Sequence, residues 1–268
     1  MKFFNYLSFV LLLPLLIMSC DSSDSNTETG TLRVLLTDAP ADYESVFIDV
    51  QGVRIHQSTD AEEEDSGWTD IMTEPKRVDL LSLINGNVEL LGELDLEPGQ
   101  YNQMRFILGE DNEIVIDGES IPLDTPSARQ SGLKLNIESE ITEGGLYTLL
   151  LDFDASRSIV QAGASGKFIL KPVIRTVSLQ ASGSIEGDIV PAEAQPWVYA
   201  IANQDTVSGT RAADSGDFRL IGLPTGTYQV SIEPAAADTL YDHEVITDVE
   251  VVNNAATVLG PIIIDDNR

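Results

Sequence analysis

The chain has 268 residues, 43% of them hydrophobic, which is enough to bury one or two ordinary cores. Its 44 acidic residues against 15 basic ones give a formal charge of −29. With no basic run to counter it, such a surface repels nucleic acid and anionic headgroups, which excludes nucleic-acid binding, and it keeps an exported protein soluble.

Met1–Ser19 reads as a secretory signal, with Lys2 as the positive n-region and Phe9–Met18 as an apolar run interrupted by Pro14. That run is too short to cross a bilayer, for which about 20 residues are needed. Ile17-Met18-Ser19-Cys20 resembles the bacterial lipobox: an apolar residue at minus three, a small one at minus one, then cysteine. Cys20 is the single cysteine, so no disulfide forms within one copy. The resemblance implies diacylglycerol on its sulfur, cleavage before it and acylation of the new N-terminus. Each buried CH₂ contributes about 0.8 kcal/mol, so more than one acyl chain anchors stably. The alternative is a cleaved signal followed by a free thiol. The expected partner is therefore the membrane, through the lipid anchor on Cys20. The expected location is the bacterial cell envelope, as an outer-membrane lipoprotein facing the periplasm or the surface. Asp21–Gly30 has no apolar residue, so residues 20–30 read as a lipidated cysteine and a disordered acidic tether. The acidic start of the tether resembles the surface-display signal of Bacteroidota-type lipoproteins, with a plain acidic linker as the equal alternative.

From Thr31 the pattern turns to strands. Leu32, Val34 and Leu36 alternate with polar and exposed positions until Asp38-Ala39-Pro40 ends the run. Val46, Ile48 and Val50 mark a second strand reaching Val53 and Ile55. Ser58–Gly67, with Glu62, Glu63, Glu64 and Asp65, predicts a solvated loop. Val78–Leu91 is the one place for a short helix or irregular layer. Met104, Phe106 and Leu108 alternate again, Ile114-Val115-Ile116 precedes a tight turn at Asp117-Gly118, and Leu133, Leu135 and Ile137 begin another strand. Leu149–Val177 then predicts a hairpin-like segment: an apolar strand ending in Asp152 and Asp154, a polar loop, and a strand through Lys171 and Pro172.

A second unit opens at Ser182. Gly183–Ile189 and Trp197–Ala202 predict strands, Asp214–Phe218 a hairpin turn, Pro234–Asp238 an Ala-rich loop, and Val245–Ile264 the closing strands. Leu96-Glu97-Pro98-Gly99-Gln100-Tyr101 matches Leu223-Pro224-Thr225-Gly226-Thr227-Tyr228 in spacing, each ahead of an alternating strand. Leu-x-x-Gly-x-Tyr is what a tyrosine corner needs: glycine for the turn, a buried leucine, and a phenol that bonds the upstream backbone. The chain is thus expected to be all-β, with two β-sandwich domains in tandem over residues 31–178 and 182–266, after a lipoprotein signal over 1–19 and the tether.

Five stretches carry a family resemblance: Thr37-Asp38-Ala39-Pro40, Arg105–Asn112, Ser131–Leu135, Leu151–Val160 and Leu170-Lys171-Pro172-Val173-Ile174. Together they resemble domain of unknown function 4382, found in bacterial and archaeal envelope proteins and frequently in lipoproteins. The resemblance covers about residues 31–178 and implies location and fold without an assigned activity. Asp214-x-Gly216-x-Phe218 and Leu223-Pro224-x-Gly226-x-Tyr228 resemble the carboxypeptidase regulatory-like domain, a prealbumin-type sandwich with a carbohydrate-binding-like fold. This second resemblance implies a non-catalytic spacer or binding unit.

In an extended chain Asp152, Asp154 and Ser156 share one side, since strand side chains repeat every second residue. They are hard oxygen ligands suited to Ca²⁺, and Asp38 or Asp111 from a neighbouring loop completes such a set. As an EF-hand loop the segment fails, with Arg157 where glycine is required and Gly163 where the bidentate glutamate belongs. The alternative is structural, with Lys171 or Arg157 pairing these acids and holding the loop closed. Signatures of enzymes are missing: His56 and His243 lie in separate domains without metal-ligand spacing, no Gly-x-Ser-x-Gly occurs, and Ser131-x-x-Lys134 opens an alternating strand. No enzyme activity is expected. Sugar binding wants flat exposed aromatics. Trp197 and Tyr199 share one strand face that Ile201 continues, either as core or as a ligand surface, and Trp68 beside the acidic loop is a ligand candidate or a rim residue. The expected function is non-catalytic extracytoplasmic binding, of glycans or of other envelope proteins. A Ca²⁺-stabilised adhesion or assembly module is the alternative, and a hydrolase using an acidic pair the third.

Overall fold

A computed structural model describes residues 28–62, 65–125, 132–163, 166–234 and 241–265. The signal segment, Cys20, most of the tether, Glu63, Glu64, Ser131 and most of the Ala-rich insertion lie outside the described residues.

Alternation of apolar and polar residues builds the first domain strand by strand. Its strands are β1 (Gly30–Ala39), β2 (Ser45–His56), β3 (Thr69–Met72), β4 (Lys76–Asp79), β5 (Glu89–Leu96), β6 (Gly99–Leu108), β7 (Glu113–Ile116), β8 (Glu119–Asp124), β9 (Leu133–Ile141), β10 (Leu146–Asp154), β11 (Ile159–Gln161), β12 (Phe168–Leu170) and β13 (Ile174–Ser178). One sheet has the order β13-β10-β1-β5, the other β11-β12-β8-β7-β2-β6-β9 with β3 and β4 also on β2. Leu32, Val34 and Leu36 of β1, Leu149, Leu151 and Phe153 of β10, and Ile48, Phe106 and Leu108 of the larger sheet meet in one core. Asp117 and Gly118, both at positive φ, turn β7 back onto β8 as the Asp-Gly signal requires. The irregular layer is a 3₁₀ turn at Leu80–Leu83, capped by the Asp79 carboxylate on the Leu81 N–H.

The hairpin expected over Leu149–Val177 does not form as one unit. Asp154 caps a single helical turn, α1 (Ala155–Ser158), which lifts the chain out of the first sheet. β11 and β12 then pair with each other in the second sheet, and β13 returns to pair with β10. The side-chain cap makes the difference: an Asp that bonds the N–H three residues on competes with extended backbone.

The second domain contains β14 (Ser182–Val190), β15 (Trp197–Ala202), β16 (Asp205–Arg211), β17 (Asp217–Pro224), β18 (Gly226–Glu233), β19 (Glu244–Val251) and β20 (Ala256–Ile263). Sheets of order β17-β14-β20 and β16-β15-β18-β19 enclose a separate core of Ile185, Val198, Ala200, Leu220, Leu223, Val230 and Ile232. The Asp214–Gly216 turn, expected to close a hairpin, instead carries the chain from one sheet to the other, because β17 pairs β14. Both tyrosine corners are present: the Tyr101 hydroxyl donates to the Glu97 carbonyl at 3.2 Å, and that of Tyr228 to the Pro224 carbonyl at 2.8 Å. No helix among the described residues is long and apolar enough to cross a membrane.

The outer face of the first domain's smaller sheet meets β17. Gly222, at φ +66, comes so close that a Cβ there would sit 3.0 Å from Leu150 Cδ2. Asn85, in the Asn-Gly turn after the 3₁₀ segment, closes the free edge of β17. Its Oδ1 accepts from Arg219 N at 2.6 Å, its Nδ2 donates to the Asp217 carbonyl at 3.2 Å, and its own N–H donates to Thr210 Oγ1 at 2.7 Å.

Candidate cleft between the two domains

Strand parity sets the cleft's first wall. Leu149, Leu151 and Phe153 of β10 fill the core, so Asp152 and Asp154 project from the opposite face, toward the second domain. Asp152 stands opposite Arg175 in the β10–β13 register. Arg175 donates to Asp152 Oδ2 from Nη2 at 2.6 Å and from Nε at 3.2 Å, and its Nη1 donates to the Gly222 carbonyl at 2.7 Å. Burial pushes the Asp152 carboxyl above its ordinary range, and Arg175 offsets only part of that rise.

Asp154 is occupied by α1. Its Oδ1 accepts from Arg157 N at 2.9 Å and Ser156 Oγ at 2.7 Å, and Arg157 Nη1 lies 3.7 Å from Oδ2. Ser156 lies beyond the end of β10, on a helical turn, so the extended geometry that would align it with the two acids stops at Asp154. Asp38 is on the inner side of β1, where its Oδ1 accepts the Ala155 N–H at 3.1 Å and its Oδ2 is buried without a partner among the described residues. Burial raises its carboxyl well above the usual range, and the charges of Asp152, Asp154 and Asp79 add to that.

The residues expected as Ca²⁺ ligands are each engaged by protein groups. Asp152 serves Arg175, Asp154 caps a turn, Asp38 caps Ala155 from inside the core, and no group of three or more acidic, His or Cys residues suited to a metal occurs among the described residues. The clamp expected from Lys171 or Arg157 is made by Arg175 on Asp152 and by Arg157 on Asp154; Lys171 instead joins Ser158 through its backbone.

The opposite wall comes from β15 and β16. Val198 and Ala200 are fully buried in the second core, which leaves Trp197, Tyr199 and Ile201 half-buried on the outer face. The Arg211 guanidinium lies 5.3 Å from the centre of the Trp197 ring. Gly209, paired with Tyr199, lets that ring lie against β16, where a Cβ would stand 2.8 Å from Tyr199 Cδ1. Burial raises the Tyr199 phenol, and the charges of Glu233 and Asp154 push it the same way. Between the walls is a cavity of about 380 Å³, lined by Pro40, Asp152, Asp154, Ser156, Arg157 and Arg175 from the first domain and by Tyr199, Thr206 and Ser208 from the second.

Trp68 is not part of this cleft. Its Nε1 donates to the Glu62 carbonyl at 2.8 Å, the His56 ring is 5.1 Å away, and the guanidiniums of Arg54 and Arg105 lie 5.7 and 5.8 Å from its centre. So engaged, it lies near buried Arg105 on the outside of the larger sheet. Arg175 and Asn85 are not among the site residues that the sequence motifs single out. Asn85-Gly86 is a turn signal in the sequence, whereas the Asp152–Arg175 pair depends on a register that no local pattern encodes.

The family model described as "Domain of unknown function (DUF4382)" matches residues 29–172. No curated protein matches the chain. Among solved structures, the Bacillus anthracis TIE protein is similar at 12% identity and TM-score 0.22, over 89% of this chain and 34% of that one. This chain thus spans about a third of that protein. The minor pilin GBS52 of Streptococcus agalactiae is similar at 10% identity and TM-score 0.23, over 88% of this chain and 96% of that one. The shaft pilin SpaA from Lactobacillus rhamnosus GG is similar at 8% identity and TM-score 0.23, over 90% and 98%. At these scores the likeness says nothing about function.

Proposed function

The chain belongs to the DUF4382 family, and from that footing we propose that it is a non-catalytic, envelope-anchored lipoprotein that binds saccharide through its second domain. One observation carries the reading. β15 turns Trp197 and Tyr199 away from the core, two residues apart on one face, while Val198 and Ala200 take the buried positions. Half-buried aromatics on the outer face of a sheet leave ring surface for the C–H side of sugar rings, and such groups dominate contact energetics. Gly209 keeps the Tyr199 ring against the sheet and so holds it in place. We read the domain as carboxypeptidase regulatory-like, on the strength of its tyrosine corner and its two-sheet layout. The non-catalytic reading is supported by the roles of the cleft acids: Asp152 is bound by Arg175 and Asp154 by the α1 turn.

A glycan array probed with the full chain in detergent tests this. Wild type is expected to bind a defined subset, and Trp197→Ala to lose at least tenfold in affinity, about 1.4 kcal/mol. An array on which wild type binds nothing refutes the reading.

The anchor rests on the sequence around Cys20. Cys20→Ala is expected to move the protein out of the membrane fraction and to abolish metabolic labelling with fatty acid. Continued labelling of that variant would rule out lipidation at Cys20.

A further inference from the structure

The geometry points to the interdomain cleft as the pocket that takes the uncharged, hydroxyl-bearing end of the saccharide, entering along the Trp197–Tyr199 face. This rests on the stacking reading above and names the part of the ligand that the second wall selects.

The first ground is size and construction. At about 380 Å³ the cavity lies at the small end of the range of about 300–1,000 Å³ for ligand pockets, which suits a short chain end. Neither domain builds it alone: Asp152, Arg157 and Pro40 form one side, Tyr199, Thr206 and Ser208 the other.

The second ground is hydrogen-bonding capacity. Both Arg175 bonds to Asp152 fall on Oδ2, which leaves Oδ1 of this cavity-lining carboxylate for solvent or a ligand. Tyr199, Thr206 and Ser208 bring hydroxyls to the same cavity. A sugar hydroxyl donates and accepts at once, so one ligand type meets both a carboxylate oxygen and a phenol.

Charge decides between kinds of sugar. Asp152 is balanced by Arg175 and Asp154 by Arg157, so the wall is neutral in a protein that carries −29 overall. A uronic acid, a sulfated sugar or an amino sugar would bring an unpaired charge into a partly desolvated site, which a neutral hexose does not. Pro40, Val173 and the Tyr199 ring supply the apolar side that faces sugar carbons.

Titration of the full chain in detergent micelles tests the assignment. The probes are neutral hexose oligosaccharides and matched uronic-acid, sulfated and amino-sugar forms. Wild type is expected to prefer the neutral set. Tyr199→Phe, which keeps the ring and removes only the hydroxyl, is expected to weaken binding about tenfold. Thr206→Trp, at an exposed position on the cavity wall, is expected to abolish it. Should that variant also melt earlier than wild type, Arg157→Ala replaces it, because that side chain is 69% exposed and its loss is expected to weaken binding without unfolding the protein. Wild-type affinity in the cleft variants together with a loss in Trp197→Ala overturns the cleft and leaves the stacking face standing. No binding by wild type overturns both, and preference for a charged form overturns the neutral end group.

Discussion

Replacing Arg175 with alanine is expected to destabilise the first domain by about 3 kcal/mol, the lower end of the range of about 3–5 kcal/mol for breaking a buried ion pair. The lower end applies because the Arg175 side chain keeps 29% exposure while that of Asp152 keeps 8%. The loss comes less from the attraction itself than from the carboxylate left behind without compensation, together with the unmet Gly222 carbonyl. The double substitution Arg175→Met with Asp152→Leu is therefore expected to recover all but about 1 kcal/mol, since apolar replacement of a buried pair is often neutral. Urea unfolding in a Trp197→Phe background, where Trp68 alone reports the first domain, measures both. The pH dependence supplies a second check. Without Arg175, burial acts unopposed on Asp152, raising its folded pKa further. A raised carboxyl adds stability that is fully present below the unfolded pKa and lost as pH rises through the folded one. The penalty of Arg175→Ala should therefore be small in acid and full at neutral pH. A penalty that is equal at both, or below about 1 kcal/mol at neutral pH, would show that the pair does not hold Asp152.

What the sequence made legible follows its periods. Leu32-Val34-Leu36 and Leu149-Leu151-Phe153 alternate and become the facing strands of one core, and the two Leu-x-x-Gly-x-Tyr stretches become tyrosine corners with the expected acceptors. Non-local pairing was not legible. Nothing around Asp152 indicates that its partner is 23 residues on rather than at Lys171, because that depends on β11 and β12 leaving for the other sheet. The same holds for Trp197 and Tyr199. Alternation says that they share a face, and only the position of Val198 and Ala200 in the second core says which face it is.

Asp38 shows how far burial can set a carboxyl apart, and its replacement with asparagine is expected to raise stability at neutral pH by about 1–3 kcal/mol. Asparagine keeps the Oδ1 acceptor for the Ala155 N–H, which bonds Asp38 at 3.1 Å. It removes the charge from a side chain that is 4% exposed and whose Oδ2 has no partner among the described residues. Because burial holds this carboxyl well above its ordinary 3.8, the folded protein retains a proton that the unfolded chain gives up. Asp38 therefore supports folding below 3.8 and progressively opposes it as pH rises through the raised folded value. Thermal melts of wild type should show stability falling from acid toward neutral pH, and Asp38→Asn should flatten that slope. Some slope should survive in the variant, since Asp152 is raised in the same direction. An asparagine variant that melts below wild type at neutral pH would mean that the charge of Asp38 is compensated inside the core. In that case the Asp38–Asp152–Asp154 group would have to be treated as one ionic unit, and the neutrality argued for the cleft wall would fail with it.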